Sequence, residues 1–339
     1  MPYWKPRSTE PLQSIQALLM LSKLRALLRP LSRTASRPKL RPVDAFGRIA
    51  FKDGRLRSES GEPVTLRGVS LFWSQWMPQF YRTETIEWLA KDWRIDVIRA
   101  SLGVGHPDFR GTADEEVAKI HAVVLAAIKC GIFVIVDWHA HEKETEAAEA
   151  IMSAIAQQYG DCPNIIYETW NEPKCGLDWT QDIKSHHVRI ATAIRQYAPR
   201  APIILGTPDF SKRIVAAARS PLALENVAYS VHFYAGSHRE GLREEIRQAL
   251  ASGVSIFVSE WGVCEADGDG VYERAETLRW LNFLNENQIG HVNWAISDKH
   301  ETCAALRPGA SPLGGWNSSN LTPSGHLQRR YLRRMALPG

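Results

Sequence analysis

Short apolar segments alternate with longer amphipathic segments along the chain after Val43. Continuously apolar segments of this length predict buried strands, and the amphipathic segments between them, such as Glu144–Tyr159 and Glu240–Ser252, predict helices. Eight strands are predicted: Thr65–Ser70, Asp96–Ala100, Phe133–Asp137, Asn164–Glu168, Ile203–Gly206, Ala228–His232, Ser255–Ser259 and Val292–Ala295. Strands buried on both faces and separated by helices are typical of a parallel sheet.

Eight strand–helix units in just under 300 residues match the size of a (β/α)8 TIM barrel, so the expected fold is α/β with one barrel domain over residues 43–339. An open doubly wound sheet is the alternative. The first predicted strand lacks the glycine-rich phosphate loop that a dinucleotide-binding version of that sheet requires. The barrel predicts that functional side chains gather at the C-terminal ends of the strands.

The net charge of +4 is unevenly distributed. Residues 1–42 contain nine Lys or Arg and one acidic residue, which leaves 32 basic and 36 acidic residues in the rest of the chain. We therefore expect a basic N-terminal extension before a mildly acidic domain, and no nucleic-acid partner, because the domain lacks the basic surface such binding needs. The extension is either an amphipathic tail, an upstream start, or an export leader whose short apolar stretch Lys23 interrupts.

Composition excludes several other classes of protein. No apolar run approaches 18 residues, so we expect no membrane span. The five cysteines are scattered without a CxxC pair, which argues against a disulfide framework or a cysteine-rich zinc module. The 12 tryptophans are notable because flat indole rings can stack on sugars as well as fill a core.

Polar and aromatic side chains recur where the predicted strands end, which places them together on one rim of a barrel. The residues concerned are Arg99, Trp138, His139, Asn171, Glu172, His232, Tyr234, Glu260 and Trp294. Glu172, in YETWNEP, and Glu260, in FVSEWG, are the most informative. A carboxyl pair of this kind cleaves glycosides, one as acid and the other as nucleophile or base. Burial and like charge are expected to raise the pKa of the acid.

The segments NIIYETWNEP, SVHFYAGSH, FVSEWG and NWAISDKHE resemble glycoside hydrolase family 5, the cellulase family of the large (β/α)8 clan. GVSLFWSQW near the start of the domain points to its bacterial endoglucanase branch. The resemblance runs from about Val43 to Leu332. It implies a retaining endo-β-1,4-glucanase that hydrolyses cellulose or related β-glucans without a cofactor or metal. It also implies a polysaccharide partner, a monomer, and secretion, since polymeric cellulose cannot enter a cell.

Carried over residue by residue, the resemblance implies that Glu172 is the acid/base and Glu260 the nucleophile. Arg99, a permanent cation, would keep the nucleophile ionised, and Tyr234 would orient it. The remaining implied contacts are Asn171 with the sugar 2-hydroxyl, His232 with the acid/base, His139 with the central sugar, Trp294 under the cleavage subsite, Lys299 and Glu301 with sugars on the non-reducing side, and Trp76 stacked on one of them.

Three positions depart from the family pattern. Phe72 stands where many members carry histidine, and Gly103 and Phe210 stand where some relatives have tyrosine and tryptophan. We expect these changes to alter sugar subsites and to leave the two glutamates unaffected.

Alternative functions remain open at this point. The substrate could be mannan, lichenan or another β-glucan, because the glutamate pair is common to the family. His139 and His141 form an HxH pair that could bind a metal, as in metal-dependent hydrolases on the same barrel. A non-catalytic carbohydrate-binding barrel is the third class, although it would lack one of the two carboxylates. Trp73, Trp93 and Trp138 are expected to pack in the core or at the rim.

Overall fold

Eight parallel strands close into a barrel, as the sequence predicts. The computed structural model describes residues 40–104, 110–160 and 162–337. The barrel strands are β1 Arg67–Leu71, β2 Val97–Leu102, β3 Phe133–Trp138, β4 Ile165–Glu168, β5 Ile203–Leu205, β6 Val227–Tyr234, β7 Ile256–Gly262 and β8 Gly290–Ile296. Each strand pairs with the next in the chain, and β8 pairs with β1. All eight predicted strands are confirmed, with ends that differ by up to three residues.

Helices follow the strands and cover the outside of the barrel. The α-helices are Pro42–Phe46, Thr83–Trp88, Ala113–Cys130, Thr145–Tyr159, Lys184–Arg195, Pro208–Ser211, Ile214–Arg219, Glu240–Ala251, Arg274–Glu286 and Pro323–Met335. Short 3-10 or π turns lie at Pro78–Phe80, Leu89–Trp93, Trp179–Ile183 and Ser318–Asn320. Among the described residues, no helix combines the length and the apolar character needed to cross a bilayer.

The helix after β2 shows how local sequence sets these elements. Thr112 caps its N-terminus by accepting a hydrogen bond from the Glu115 amide, and the Glu115 side chain accepts one from the Thr112 amide. Gly131 ends the helix at a φ of 68°, a left-handed conformation that glycine adopts without steric cost. The capping box and the glycine therefore fix the length of the helix that connects β2 to β3.

A short hairpin of Ala50–Lys52 and Arg55–Arg57, which the sequence analysis did not predict, closes the N-terminal end of the barrel. Phe51 and Leu56 belong to a buried cluster with residues from the beginnings of the strands, including Val97 and Phe133. The rings of Phe51 and Phe257 pack edge to face at 6.4 Å. Since this end is filled by apolar side chains, the opposite, C-terminal end is the one available for chemistry.

The predicted basic extension of residues 1–42 lies almost wholly outside the described residues, which begin at Leu40. Its last two residues, Arg41 and Pro42, lie at the start of the first helix.

Asp96 gives a testable pH dependence of stability. The carboxylate accepts a hydrogen bond from the Arg67 amide at 3.0 Å, but burial raises its pKa from 3.8 to about 7. Between pH 4 and 7 the folded chain holds one proton more than the unfolded chain, so stability falls as pH rises through this window. Asp96→Asn is expected to be about 1–3 kcal/mol more stable than wild type at pH 8 and nearly unchanged at pH 4.

Urea unfolding of both proteins at the two pH values measures this difference. Equal free energies of unfolding at pH 8 would mean that the buried carboxyl does not carry the penalty. Asp44→Asn, at an exposed carboxylate paired with Arg41, is the control and is expected to show no such pH dependence.

Candidate active site

The C-terminal ends of the strands surround a cleft of about 230 Å³. Nine of the eleven predicted site residues line it: Trp76, His139, Asn171, Glu172, Tyr234, Glu260, Trp294, Lys299 and Glu301. Arg99 and His232 lie buried beneath the cleft, each in contact with one of the two glutamates. All eleven predicted residues are therefore brought together.

Glu260, near the end of β7, is held by two donors. The Tyr234 hydroxyl donates to its Oε1 at 2.7 Å, and Arg99 Nη1 donates to its Oε2 at 3.1 Å. Only 4% of Glu260 is exposed. Because each carboxylate oxygen accepts a hydrogen bond, the carboxylate is fixed in orientation, and the Arg99 guanidinium compensates its charge.

Arg99 is fully buried and contacts four side chains. Besides Glu260, its Nε donates to Glu168 Oε2 at 2.7 Å, and its Nη2 lies 2.5 Å from Asn171 Oδ1 and 3.0 Å from Asp137 Oδ2. Burial raises the pKa of Asp137 to about 6 in spite of the nearby guanidinium. One cation thus organises three carboxylates, which explains why the site tolerates so much buried negative charge.

Asp137 and Glu168 were missed by the sequence analysis, which treated them only as the last residues of two predicted strands. Both are fully buried, and burial also raises the pKa of Glu168. A charged residue inside an otherwise apolar strand was the available signal, since such a residue needs a buried partner.

Glu172, in the segment after β4, is contacted by two imidazoles. His232 Nδ1 lies 2.7 Å from its Oε1, and His141 Nε2 lies 3.2 Å from its Oε2. Burial raises the pKa of Glu172, but the hydrogen bonds from His141 and His232 outweigh it, and the pKa is lowered below its usual value. The expectation of a raised pKa is therefore wrong for this residue, because the neighbouring imidazoles favour the carboxylate.

A chain of hydrogen bonds connects Glu172 to the buried carboxylates. His232 Nε2 lies 3.0 Å from Ser259 Oγ, and the Ser259 hydroxyl donates to Glu168 Oε1. Ser259 therefore accepts from His232, which fixes a proton on Nε2 of that ring. The other ring nitrogen then either donates to ionised Glu172 or accepts from protonated Glu172. The Glu172–His232 pair can hold the proton that an acid catalyst needs.

His139 and Trp294 form the floor of the cleft. Their rings are stacked at 5.2 Å with an angle of 2° between the planes, and His139 Nδ1 lies 2.6 Å from Asp137 Oδ2. Burial lowers the pKa of His139 well below its usual value, so the imidazole is neutral. A neutral ring of fixed orientation beside an indole is a suitable surface for a sugar.

One end of the cleft combines aromatic and charged groups. Lys299 Nζ lies 2.6 Å from Glu301 Oε2 and 5.4 Å from the centre of the Phe72 ring. Phe72 also packs against Trp294 at 5.0 Å and Trp76 at 6.3 Å. Trp76 is 43% exposed, an unusual degree for so large an apolar side chain, and lines the cleft. The phenylalanine therefore supports the neighbouring aromatic surface where a histidine would have offered a hydrogen bond.

The other unusual positions lie at the rim or in the core. Phe210 packs edge-on against His141 at 5.6 Å. Gly103 lies so close to Gln75 that an added Cβ would be 1.7 Å from the Gln75 side-chain oxygen. Trp93 and Trp138 are fully buried, as expected for packing residues, whereas Trp73 lines the cleft.

The suggested HxH metal pair is divided between two carboxylates: His139 turns to Asp137 and His141 to Glu172. Among the described residues, the groups whose donor atoms do approach one another are Glu172, His232 and Glu260, all within 4.8 Å. A carboxylate oxygen of Glu172 thus lies within 4.8 Å of one of Glu260. Two carboxyl groups about 5 Å apart, facing one cleft, are suited to double displacement at a sugar carbon.

Comparison with known proteins identifies a family model and several relatives that match this chain. The family model of the cellulases, glycosyl hydrolase family 5, matches residues 58–300. Endoglucanase N of Pectobacterium atrosepticum is 37% identical over 298 residues, covering 86% of this chain and 67% of its own length. Endoglucanase Z of Dickeya dadantii is 40% identical over 265 residues, covering 76% of this chain and 60% of its own.

Solved structures resemble this chain over a similar share of its length. A protein from Cytophaga hutchinsonii superimposes with a TM-score of 0.85 at 42% identity, covering 87% of this chain and 97% of its own. The catalytic domain of Thermobifida fusca endoglucanase Cel5A gives a TM-score of 0.81 at 30% identity, covering 86% and 99%. This chain spans 58–67% of the length of five curated endoglucanases that it matches. The chain belongs to the cellulase family of glycosyl hydrolases, family 5.

Proposed function

We propose that this chain is an endo-β-1,4-glucanase that hydrolyses internal bonds of cellulose or related β-glucans with retention of anomeric configuration. The observation that carries the proposal is the approach of the Glu172 and Glu260 carboxylates to within 4.8 Å across a cleft lined with aromatic rings. That spacing leaves room for a sugar carbon and favours direct attack by a carboxylate over attack by an intervening water.

In the first step, Glu260 attacks the anomeric carbon while Glu172 gives its proton to the leaving glycosidic oxygen. The carbon–oxygen bond to the leaving sugar breaks as the bond to Glu260 forms. Tyr234 and Arg99 keep the Glu260 carboxylate pointed at the carbon. The proton is supplied by the Glu172–His232 pair, in which either partner can hold it.

In the second step, Glu172 removes a proton from water, and the water oxygen attacks the same carbon from the opposite face. The bond to Glu260 breaks, and two inversions give net retention. Asn171 is held by Arg99 and is positioned for the sugar 2-hydroxyl, a contact that strengthens in the transition state.

Substrate binding is assigned to the aromatic and charged end of the cleft. Trp294 underlies the sugar at the cleavage point, and His139 contacts the same sugar. Trp76 stacks on a sugar further along the non-reducing side, where Lys299 and Glu301 donate and accept hydrogen bonds. A Thermobifida fusca Cel5A variant has been solved in complex with cellotetraose, which supports a glucan of this length as ligand.

Residues 43–339 are proposed to be the catalytic domain, acting as a monomer, with residues 1–42 as an extension outside it. Secretion is proposed because the polymeric substrate cannot enter a cell. The mechanism requires only side chains, so activity is expected to persist in the presence of a chelator.

Endo-hydrolysis is tested on carboxymethylcellulose, barley β-glucan and mannan, each with and without EDTA. The expected result is release of reducing ends from the first two, with viscosity falling well before many ends appear. Glu146→Ala, at an exposed glutamate on an outer helix, serves as the control and keeps full activity. Faster hydrolysis of mannan would overturn the substrate assignment, and loss of activity in EDTA would favour a metal hydrolase.

A further inference from the structure

We propose that His141 is a positioning residue for the acid/base, one that stabilises the Glu172 carboxylate left behind when the leaving oxygen takes its proton. This inference rests on the proposed function of Glu172. Its basis is that His141 Nε2 lies 3.2 Å from Glu172 Oε2, while His232 occupies the other oxygen. The acid/base thus has an imidazole at each of its two oxygens.

The two imidazoles are placed very differently. The His232 side chain is 2% exposed and is fixed by Ser259 on its far side. The His141 side chain is 39% exposed, lines the cleft, and lies edge-on to Trp73 at 5.5 Å and to Phe210 at 5.6 Å. His232 therefore belongs to the buried hydrogen-bond chain, whereas His141 meets both substrate and solvent.

The charges around His141 favour its protonated form. Burial lowers its pKa, but the hydrogen bond to Glu172 and the carboxylates of Glu172, Glu260 and Glu142 raise it above its usual value. His139, on the same segment, is neutral, and the charge of Glu142 is shared with Lys174 at 2.5 Å. The group that interacts most strongly with His141 is thus the Glu172 carboxylate, whose charge changes during the reaction.

The stabilisation that His141 provides depends on whether Glu172 is protonated or ionised. The Nε2–H of His141 interacts more strongly with the carboxylate than with the protonated carboxyl group, so it stabilises the state reached as the proton leaves. In the complex that transfers the proton Glu172 is protonated, and relative to that state the contact makes it a stronger acid toward a poor leaving group such as the hydroxyl oxygen of a sugar. A leaving group that needs no proton gains nothing from the contact.

Two substitutions and two substrates test this role. His141→Leu removes the hydrogen bond, and His141→Gln keeps a neutral donor. We expect His141→Leu to lower kcat/KM on cellotetraose roughly 10-fold, within the range of acid–base effects, and to change kcat/KM on 2,4-dinitrophenyl β-cellobioside by less than about 2-fold. His141→Gln should fall between wild type and His141→Leu. His121→Leu, on an outer helix, is the control and should leave both substrates unaffected.

Equal losses on both substrates would overturn the proposal, because a residue that only binds sugar or supports the fold does not distinguish leaving groups. No loss on either substrate would overturn it as well. A second measurement needs no activity: the pKa of His141, followed by NMR of its ring nitrogens, should fall in Glu172→Gln. An unchanged pKa would contradict the contact even if the enzyme acted on a different glycan, whereas a fallen pKa with no glucanase activity would count against the proposed function alone.

Discussion

Replacing Glu260 by alanine is expected to lower kcat/KM on a soluble β-1,4-glucan by roughly 10⁴- to 10⁶-fold, as when other covalent nucleophiles are removed. The physical reason is that no other carboxylate among the described residues is both oriented by Tyr234 and Arg99 and open to the cleft. Initial rates of reducing-sugar release measure the loss, and far- and near-ultraviolet circular dichroism establish that the variant is folded.

Added azide separates the roles of the two glutamates with 2,4-dinitrophenyl β-cellobioside as substrate. In Glu260→Ala, azide takes the place of the missing carboxylate and gives the α-glycosyl azide by one inversion. In Glu172→Ala, the covalent intermediate still forms, and azide attacks its open face to give the β-glycosyl azide. If Glu260→Ala gave the β-glycosyl azide and Glu172→Ala the α-glycosyl azide, the two assignments would have to be exchanged. A variant that kept the wild-type rate would show that its residue takes no part in the mechanism.

Arg99→Met is expected to lower the free energy of unfolding by about 3–5 kcal/mol at pH 8, the cost typical of removing one partner from a buried ionic network. The substitution leaves Asp137, Glu168 and Glu260 without their shared cation. Without Arg99, which lowers the pKa values of Asp137 and Glu168, those two values in the folded state must rise further, so the penalty grows as pH rises. At pH 5 the carboxyl groups can take up protons, and the loss is expected to be smaller.

Urea unfolding at pH 5 and pH 8 measures this effect. Arg247→Met is the matched control, because Arg247 also contacts two carboxylates, Glu240 and Glu244, but on an exposed helix face. The control should change stability little at either pH. A loss for Arg99→Met that is the same at both pH values would mean that packing, and not the uncompensated charge, dominates.

The barrel could be predicted because its strands are buried on both faces and separated by amphipathic helices. The predicted strand ends placed Glu172, Glu260 and their neighbours on one rim, and the structure brings them into one cleft. The hairpin around Phe51 escaped detection because its two strands have three residues each, too few for an alternating pattern. Its role depends on tertiary packing against the barrel interior.

Contacts between side chains that follow neighbouring strands were harder to predict from the sequence. His141 was identified in the sequence as one half of an HxH pair, yet its partner is Glu172, in the segment that follows the next strand. Spacing along one segment indicates that two histidines are near each other, but it does not indicate which way each ring turns. The same contact contributes to the wrong expectation about the Glu172 pKa, since burial and the His232 contact were foreseen and the second imidazole, that of His141, was not.

The stereochemistry of the first-formed product tests the two-glutamate mechanism most directly. Cellopentaose is hydrolysed in an NMR tube, and the anomeric proton signals of the new reducing ends are followed before mutarotation equilibrates them. The account predicts that the β-anomer appears first and the α-anomer grows in later, because two displacements at carboxyl groups within 4.8 Å restore the configuration. Initial appearance of the α-anomer would mean a single displacement by water and would contradict the assignment of Glu260 as nucleophile.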